Sequence, residues 1–359
     1  MAQKIKEAKK ARLPVGKRAG YFSLCLGAAL LLIFWINALL HHAGESQPYE
    51  LTTFSMGSYV RQTVWGTQEE QAAKLAVQAV DSLEWEISWR DAPELGGEGR
   101  SILRLNQSAG RDGATISPAT GELLETALAL CETSCGAFDI TLGPLTRLWD
   151  FDGSPRLPKQ EELTRALALT GWQDVLLDGT RARLARPGMA IDLGAIGKGA
   201  ACDRAVDVYR QNDVTGAVVA VGGSIGLYGK KPQGQSWRVS VRNPEGEGSL
   251  GTLELESGFV STSGSYEKFF QQDGKTYCHL LDPRTGYPAE SGLISVTVWH
   301  PESGALSDGL STACFVLGLE ESLSLLREYQ AQGVFVDQDG TVTVTEGFED
   351  RFIRNNSGD

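Results

Sequence analysis

Beyond its first 50 residues, the chain carries apolar positions with two different periods. Apolar residues that recur about every 3.6 positions predict helices, and short apolar runs between glycine turns predict strands. The predicted helices span about Thr67–Trp85, Ser117–Gly136, Pro158–Leu169, Ala195–Arg210, Asp308–Leu317 and Glu320–Gln330. The predicted strands span Leu51–Val64, Ala190–Leu193, Ala217–Val221, Trp237–Val241, Thr252–Leu255, Thr276–Leu281 and Leu293–Trp299, with a last hairpin of Val334–Asp337 and Thr341–Thr345. Because strands and helices do not alternate strictly, the predicted fold class is α+β (mixed α/β).

Two of these helices begin with recognisable capping residues. Thr67 with Glu70 matches a capping box, and Ser117 before Pro118 matches an N-cap followed by proline at the first helical position. Between the two helices, the stretch from Asp91 to Gly113 is polar and rich in glycine, which favours a loop.

The N-terminal segment differs from the rest of the chain. Residues 21–40 form a 20-residue apolar run, about the length that a helix needs to cross a bilayer. Basic residues precede this run closely, so residues 1–20 are predicted to be cytoplasmic and the body of the chain extracytoplasmic. A cleaved signal peptide is the alternative, whereas Leu24 before Cys25 argues against a lipoprotein. The predicted organisation is then an anchor at 21–40, a linker at 41–49, one exported domain at 50–346 and a tail at 347–359.

Charge and cysteine content exclude two classes of function. The net charge is −12, and residues 1–44 carry +6 of it, so the rest of the chain carries −18. A nucleic-acid-binding protein is therefore not expected, because phosphate contacts need clustered positive charge. The six cysteines include no CxxC pair, which leaves a zinc cluster unsupported. Cys131 and Cys135 are one helical turn apart and are predicted to be buried free thiols.

Three clusters of residues could carry chemistry. The first, from Ala190 to Gly199, passes through glycines into a helix, so its backbone N–H groups and Lys198 could face an anion. A glycine-tight packing turn explains the same pattern without a ligand. In the second cluster, Asp308 and Thr312 lie one helical turn apart, and two hard oxygens so close could hold Mg²⁺. Alternatively, Asp308 caps a helix and Thr312 bonds a nearby carbonyl.

The third cluster contains one of four histidines in the chain. His279 stands at the end of a predicted strand, before a turn with proline and glycine. Since His41 and His42 flank the apolar run, His279 and His300 are the histidines of the exported part. A histidine with a near-neutral pKa could act as a general base, and a hydrogen-bonded structural histidine is an equal alternative.

Together these clusters resemble one family, the ApbE-like FAD:protein FMN transferases, from about residue 49 to residue 345. The order and spacing of the matching segments are specific to that family. In chain order, the segments are Met56–Tyr59, Ser88-Trp89, Arg104–Asn106, Gly136–Leu145, Leu148-Trp149, Ile191–Gly199, Asp203–Ala205, Val221–Gly223, Thr262–Gly264, His279–Pro288 and Asp308–Thr312.

The resemblance implies a fold, a reaction and a partner. Residues 50–346 are expected to adopt the ApbE-like flavin transferase fold and to bind FAD as a substrate with Mg²⁺ or Mn²⁺. The FMN half of FAD would pass to a Ser or Thr hydroxyl of an exported flavoprotein, such as a subunit of a membrane redox complex. The product would be a phosphoester, with release of AMP.

The resemblance also implies a role for each site residue. Asp308, Thr312 and the main-chain carbonyl of Ala195 would bind the metal. His279 would be the general base, and Lys198 would neutralise a phosphate. The FAD pocket would be lined by Ala137, Phe138, Asp139 and Asp192, and Met56 and Trp89 would flank the flavin or adenine ring. Three positions depart from the common pattern of the family: Ser224 stands where the family commonly has Asp, Trp89 stands where Tyr is also common, and Gly197 replaces a usual Ala.

Two other functions are compatible with the same pocket. An FAD pyrophosphatase would use water in place of the protein hydroxyl and give FMN and AMP. A membrane-tethered flavin-binding module would hold FAD without turnover.

Overall fold

The computed structural model describes residues 47–90 and 99–355, and it confirms the mixed α+β class. The membrane span predicted at 21–40 lies outside the described residues. Within the described ranges, no helix is both long enough and apolar enough to cross a bilayer.

The elements are numbered along the described chain. The helices are α1 (Glu69–Ile87), α2 (Ser101–Gln107), α3 (Pro118–Thr133), α4 (Gly143–Trp149), α5 (Gln160–Leu167), α6 (Gly197–Gln211), α7 (Gly304–Leu317) and α8 (Leu319–Glu328). The strands are β1 (Tyr49–Ser55), β2 (Ser58–Gly66), β3 (Ala114–Thr115), β4 (Val175–Asp178), β5 (Arg181–Leu184), β6 (Val214–Val221), β7 (Ser224–Gly229), β8 (Trp237–Arg242), β9 (Ser249–Leu255), β10 (Gly258–Gly264), β11 (Phe269–Gln272), β12 (Lys275–Cys278), β13 (Leu293–His300), β14 (Gln332–Asp337), β15 (Val342–Val344) and β16 (Phe352–Arg354).

An eight-stranded antiparallel sheet forms the middle layer, in the order β1-β2-β6-β7-β10-β13-β14-β15. Helices α1, α6 and α7 cover one face, where α6 packs between the other two. The small sheet β16-β9-β8 contributes to a second core with residues of the large sheet. A strand with a core on each face of its sheet points successive side chains to opposite cores. In β10, Phe259 belongs to the helix-side core and Val260 to the second core.

A third apolar cluster joins α4 and α5 to the hairpin β11–β12. Trp149 is fully buried there, and its indole Nε1 donates to the carbonyl of Gly286 at 2.8 Å. Tyr277 of β12 packs against the same ring, with a centroid distance of 5.7 Å. This cluster fixes the chain on both sides of His279.

The strand predicted at Ala190–Leu193 is wrong. That segment makes a single parallel bridge, between Leu142 and Ala190, and otherwise has no strand partner among the described residues. The reason is Asn106, whose side chain bonds both backbone groups of Ile191. Its Nδ2 donates to the Ile191 carbonyl at 2.9 Å, and its Oδ1 accepts from the Ile191 N–H at 2.7 Å. A side chain thus takes the backbone groups that a neighbouring strand would use.

The two hydrogen bonds between the Asn106 side chain and Ile191, here called the Asn106 clamp, should contribute measurably to the free energy of unfolding. Ile191 is fully buried, so Asn106→Ala would leave one buried donor and one buried acceptor without partners. We expect the variant to lose about 2 kcal/mol or more of unfolding free energy, measured by urea denaturation. Asn243→Ala, at an exposed turn, is the control and should change stability by less than about 0.5 kcal/mol. Equal midpoints for Asn106→Ala and wild type would contradict the clamp.

Several element ends differ from the predictions. The capping box at Thr67 and Glu70 is wrong, because α1 begins at Glu69 after Gln68 and no side chain caps it. The cap at Ser117 is confirmed, since its hydroxyl accepts from Thr120 N at 3.2 Å. The extended stretch Leu51–Val64 is a hairpin that turns at Met56-Gly57, where both φ angles are positive.

Three further differences bear on the site or on the domain ends. The helix predicted from Asp308 begins four residues earlier, at Gly304, because Ser303 is its N-cap. The strand that leads to His279 ends at Cys278. The stretch predicted as a loop between Asp91 and Gly113 contains α2, and the predicted tail contains β16, which pairs with β9 and buries Phe352.

The cysteine prediction is half correct. Cys131 and Cys135 are both free, but only Cys131 is buried. Cys135 follows the end of α3 with a positive φ of 51°, so the helical face that would have buried it no longer exists. No group of three or more His, Cys, Asp or Glu side chains suited to a metal occurs within 47–90 and 99–355.

Candidate active site

Asp308 is the centre of the site and lies in the second turn of α7. Its carboxylate Oδ2 accepts the backbone N–H of Gly199 at 3.0 Å, and the Ser224 side chain lies close to the carboxylate. Burial raises the pKa of Asp308, and nearby Lys198 opposes that rise. A buried carboxylate of this kind is suited to an external positive charge in addition to that of Lys198.

The Asp308 carboxylate does cap a helix, although not its own. It accepts from the first turn of α6, while α7 is capped by Ser303. The capping alternative from the sequence is therefore partly correct. It does not replace the metal role, because a carboxylate has about four lone-pair sites on its two oxygens.

Thr312 lies one turn after Asp308 on α7 and is half-buried. Its Oγ1 lies 3.2 Å from the hydroxyl oxygen of Ser263 on β10, so its side chain meets a hydroxyl and not the carbonyl of the alternative interpretation. Ser263 also bonds the Ser311 hydroxyl at 2.8 Å. The Thr312 oxygen is thus held in place against the sheet.

The carbonyl of Ala195 completes the predicted set of oxygen ligands. Residue 195 precedes α6, and the N–H four residues later belongs to Gly199, which donates to Asp308. The Ala195 carbonyl therefore lacks the helical hydrogen bond from that N–H. One carboxylate, one hydroxyl and one carbonyl are the donors that a hard divalent cation takes, with substrate phosphates and water as the remaining ligands.

Lys198 links the metal side of the site to His279. Its ammonium lies 3.3 Å from the carbonyl of Gly194, and its charge lowers the pKa of both Asp308 and His279. Its stem passes Gly222, where an added Cβ would lie 3.2 Å from Lys198 Cδ and where φ is +57°. A glycine at this turn thus leaves room for the lysine, as the anion interpretation requires.

His279 follows β12 directly, and its backbone N–H donates to the carbonyl of Lys268 at 3.0 Å. The ring Nδ1 is buried without a hydrogen-bond partner, which argues against the hydrogen-bonded structural alternative. Burial lowers the pKa of His279 to about 4, and the charges of Lys268 and Lys198 act in the same direction. The imidazole is therefore neutral at pH 7 and able to accept a proton.

The low pKa of His279 can be measured directly. In the ligand-free protein, its imidazole resonances should titrate near pH 4, well below the ordinary 6.5. Lys268→Met removes the lysine charge with the larger effect on His279 and should raise the pKa of His279, whereas Lys74→Met at an exposed position of α1 should not. NMR titration, with His279 assigned by substitution, checks both. A midpoint near 6.5 in the wild type would show that the ring is solvated.

Met56 and Trp89, predicted to flank the flavin or the adenine ring, are both half-buried. Met56 occupies the β1–β2 turn with φ 55°, and its Cε lies 3.2 Å from the place of a Cβ at Gly197. The same added Cβ would lie 2.9 Å from Ile87 Cδ1, which explains a glycine where the family commonly has alanine. The Arg147 guanidinium lies 4.7 Å from the Trp89 ring centroid and holds the ring by a cation–π contact.

The segment around Asp139 serves mainly to build the loop. Ala137 and Phe138 are buried, and Phe138 belongs to the main core. Asp139 accepts from the N–H and hydroxyl of Thr141 at 2.7 and 2.6 Å and from Trp172 N at 3.3 Å. Burial raises its pKa. The contact of these side chains with FAD stays a prediction.

Asp192 connects that loop to α6. Its N–H donates to the Ile140 carbonyl at 2.8 Å, and its Oδ1 accepts from Gly194 N at 2.9 Å. Asp192 is half-buried, and its contact with FAD stays a prediction.

Three residues that contribute to the site had no role assigned from the sequence. Ser224, noted only as a departure, contacts Asp308 and accepts from the Ser261 hydroxyl at 3.1 Å. Lys268 holds the His279 backbone, and Asp152 pairs with Lys268. Ser224 could have been found from its place after Gly222-Gly223, whereas no sequence signal marks Lys268 or Asp152.

Comparison with known proteins gives one consistent result. The model of the ApbE family matches residues 56–335. An FAD:protein FMN transferase of Klebsiella pneumoniae is 35% identical over 264 residues, which are 72% of this chain and 81% of that protein. One from Treponema pallidum is 36% identical over 271 residues, 70% and 74% of the two chains. The crystal structure of the ApbE protein from Thermotoga maritima superposes with a TM-score of 0.77 at 33% identity, over 85% of this chain and 99% of that one.

Proposed function

The chain belongs to the ApbE family, and we propose on that premise that it is an FAD:protein FMN transferase. It transfers FMN from FAD to a Ser or Thr hydroxyl of an acceptor protein and releases AMP. The observation that carries the proposal is the set formed by the buried Asp308 carboxylate bonded to the start of α6, Lys198 in that same turn, and the buried, unpartnered Nδ1 of His279. Asp308 and Lys198 could bind a metal ion and a pyrophosphate, and the neutral imidazole of His279 could accept a proton.

The reaction needs one bond to form and one to break. The acceptor hydroxyl oxygen attacks the phosphorus on the FMN side of the pyrophosphate, and the bond from that phosphorus to the bridging oxygen breaks, so AMP leaves. The hydroxyl proton passes to the neutral imidazole of His279. Lys198 would offset negative charge on the phosphates.

The oxygen donors fit Mg²⁺, and Mn²⁺ is the alternative with similar ligand preference. Asp308, Thr312 and the Ala195 carbonyl would hold the ion beside Lys198. When bound, the ion supplies charge neutralisation at the pyrophosphate. The chain's own part is to hold two of these oxygens in place, that of Asp308 through Gly199 and Ser224 and that of Thr312 through Ser263.

We propose further that the enzyme is anchored in the cell membrane by residues 21–40 and acts on the extracytoplasmic side. The apolar run and the basic residues before it support this topology. The acceptor would then be an exported flavoprotein, such as a subunit of a membrane redox complex, on the same surface. Isolation of a mature protein cleaved after Ala43 and free in solution would contradict the anchor.

The decisive experiment incubates the full-length chain with FAD, Mg²⁺ and the apo form of an exported flavoprotein domain that has a Ser or Thr acceptor. Flavin fluorescence on a denaturing gel reports the covalent product, and AMP is quantified in parallel. Labelled acceptor with stoichiometric AMP is expected. AMP and free FMN without labelled acceptor would indicate a pyrophosphatase, and intact FAD would indicate a binding module.

A further inference from the structure

Helices α6 and α7 touch through their backbones at two glycines. A Cβ added to Gly199 would lie 1.9 Å from the carbonyl oxygen of Gly304, and a Cβ added to Gly304 would lie 2.3 Å from that of Gly199. Both distances are far below van der Waals contact, so neither position tolerates a side chain. The two helices therefore cross at a point where their backbones are as close as they can be.

Each helix receives a carboxylate from the other at this crossing. Asp308 of α7 accepts the N–H of Gly199 at 3.0 Å, in the first turn of α6. Asp203 of α6 accepts the N–H of Gly304 at 2.6 Å and of Ala305 at 2.8 Å, in the first turn of α7. A negative charge at a helix N-terminus is favourable, so the exchange stabilises both starts.

The N-cap residue of α7, Ser303, cannot replace the hydrogen bonds that Asp203 accepts. Ser303 Oγ accepts only Leu306 N, at 3.2 Å, and the Ser303 carbonyl accepts Ser307 N at 3.1 Å. Residues Gly304 and Ala305 are buried, so without Asp203 their N–H groups would lack an acceptor. Asp203 thus completes the first turn of the helix that carries the metal ligands.

We infer that Asp203 is a positioning residue that sets where α7 lies along α6, and thereby where the Asp308 and Thr312 oxygens stand relative to the Ala195 carbonyl. The inference rests on the proposed function for the role of those oxygens. Asp308 follows Ala305 by three residues, about 4.5 Å along the helix axis, so a shift at the cap reaches the site undiminished. The Gly199–Gly304 contact limits lateral movement and leaves sliding and tilting for Asp203 to prevent.

The test is Asp203→Asn in the full-length chain, at pH 8. Burial raises the pKa of Asp203 to about 6, so the wild-type carboxylate is ionised at that pH. Asparagine keeps the size and one accepting oxygen but loses the charge and the second acceptor. We expect the MgCl₂ concentration for half-maximal transfer to rise about tenfold, with activity partly recovered at saturating MgCl₂. The MgCl₂ concentration that raises the melting temperature should shift by the same factor, which a merely structural role would not cause.

The matched control is Asp207→Asn, one turn later on α6, which pairs with Arg210 at the surface. It should leave both MgCl₂ midpoints unchanged. If Asp203→Asn does not fold, Asp203→Glu keeps the charge on a longer stem and should fold with a midpoint between wild type and tenfold. Unchanged midpoints in a folded Asp203 variant, or a lower melting temperature with an unchanged MgCl₂ dependence, would overturn the inference. A wild-type chain that Mg²⁺ stabilises without any flavin transfer would instead count against the proposed function.

Discussion

Asp308→Asn is expected to reduce flavin transfer by about a hundredfold to ten-thousandfold. The substitution keeps an oxygen that can accept the Gly199 N–H, so the start of α6 stays capped. It removes the only carboxylate of the predicted metal site, and a bound ion contributes several kcal/mol of charge stabilisation, of which each 1.4 kcal/mol is about tenfold in rate. Covalent flavin on a denaturing gel and AMP release, followed over a range of MgCl₂ concentrations, measure the loss.

The same variant separates a metal role from a packing role. Burial raises the pKa of Asp308, so a neutral amide at that position should not lower the melting temperature of the metal-free protein by much. The stabilisation that Mg²⁺ gives the wild type should be absent. Asp81→Asn, at an exposed position of α1, is the control for a lost surface charge. Transfer within about threefold of wild type, with the same MgCl₂ dependence, would remove Asp308 from the metal site.

What could be predicted from the sequence was local. Asp308 and Thr312 are one turn apart on a helix whose apolar period is clear, so their common face followed from spacing alone. The Ser117 cap was equally local, since all its atoms lie within four residues. Family resemblance then assigned the roles that spacing could not.

The contacts that hold the site are long-range, and spacing does not reveal them. Asn106 clamps Ile191 from 85 residues away, and this clamp turns an apparent strand into a loop. Asp203 lies about 100 residues before the helix start that it caps. Both residues stand in segments that match the family, yet the bonds they make depend on how α2, α6 and α7 come together in three dimensions.

His279→Ala is expected to lower kcat for transfer by about a hundredfold to ten-thousandfold, the usual range for a lost general base. FAD binding should change little, because no metal ligand or phosphate partner is removed. Flavin fluorescence quenching measures the binding, and the gel assay measures the transfer. Asp273→Asn at the turn of the same hairpin is the control, because asparagine tolerates the positive φ of 52° found there.

Stability is the property that separates a base from a structural histidine at this position. A histidine that holds the fold through hydrogen bonds would cost stability when replaced, but the buried Nδ1 of His279 has no partner to lose. His279→Leu, which fills a similar volume without a buried polar atom, should therefore unfold at an equal or higher urea concentration than wild type while transferring almost no flavin. A fall in the urea midpoint that parallels the fall in transfer would assign His279 to the fold. If His279 is the proton acceptor, stability and transfer should change in opposite directions, since its Nδ1 is held buried and unpartnered for the reaction at the expense of stability.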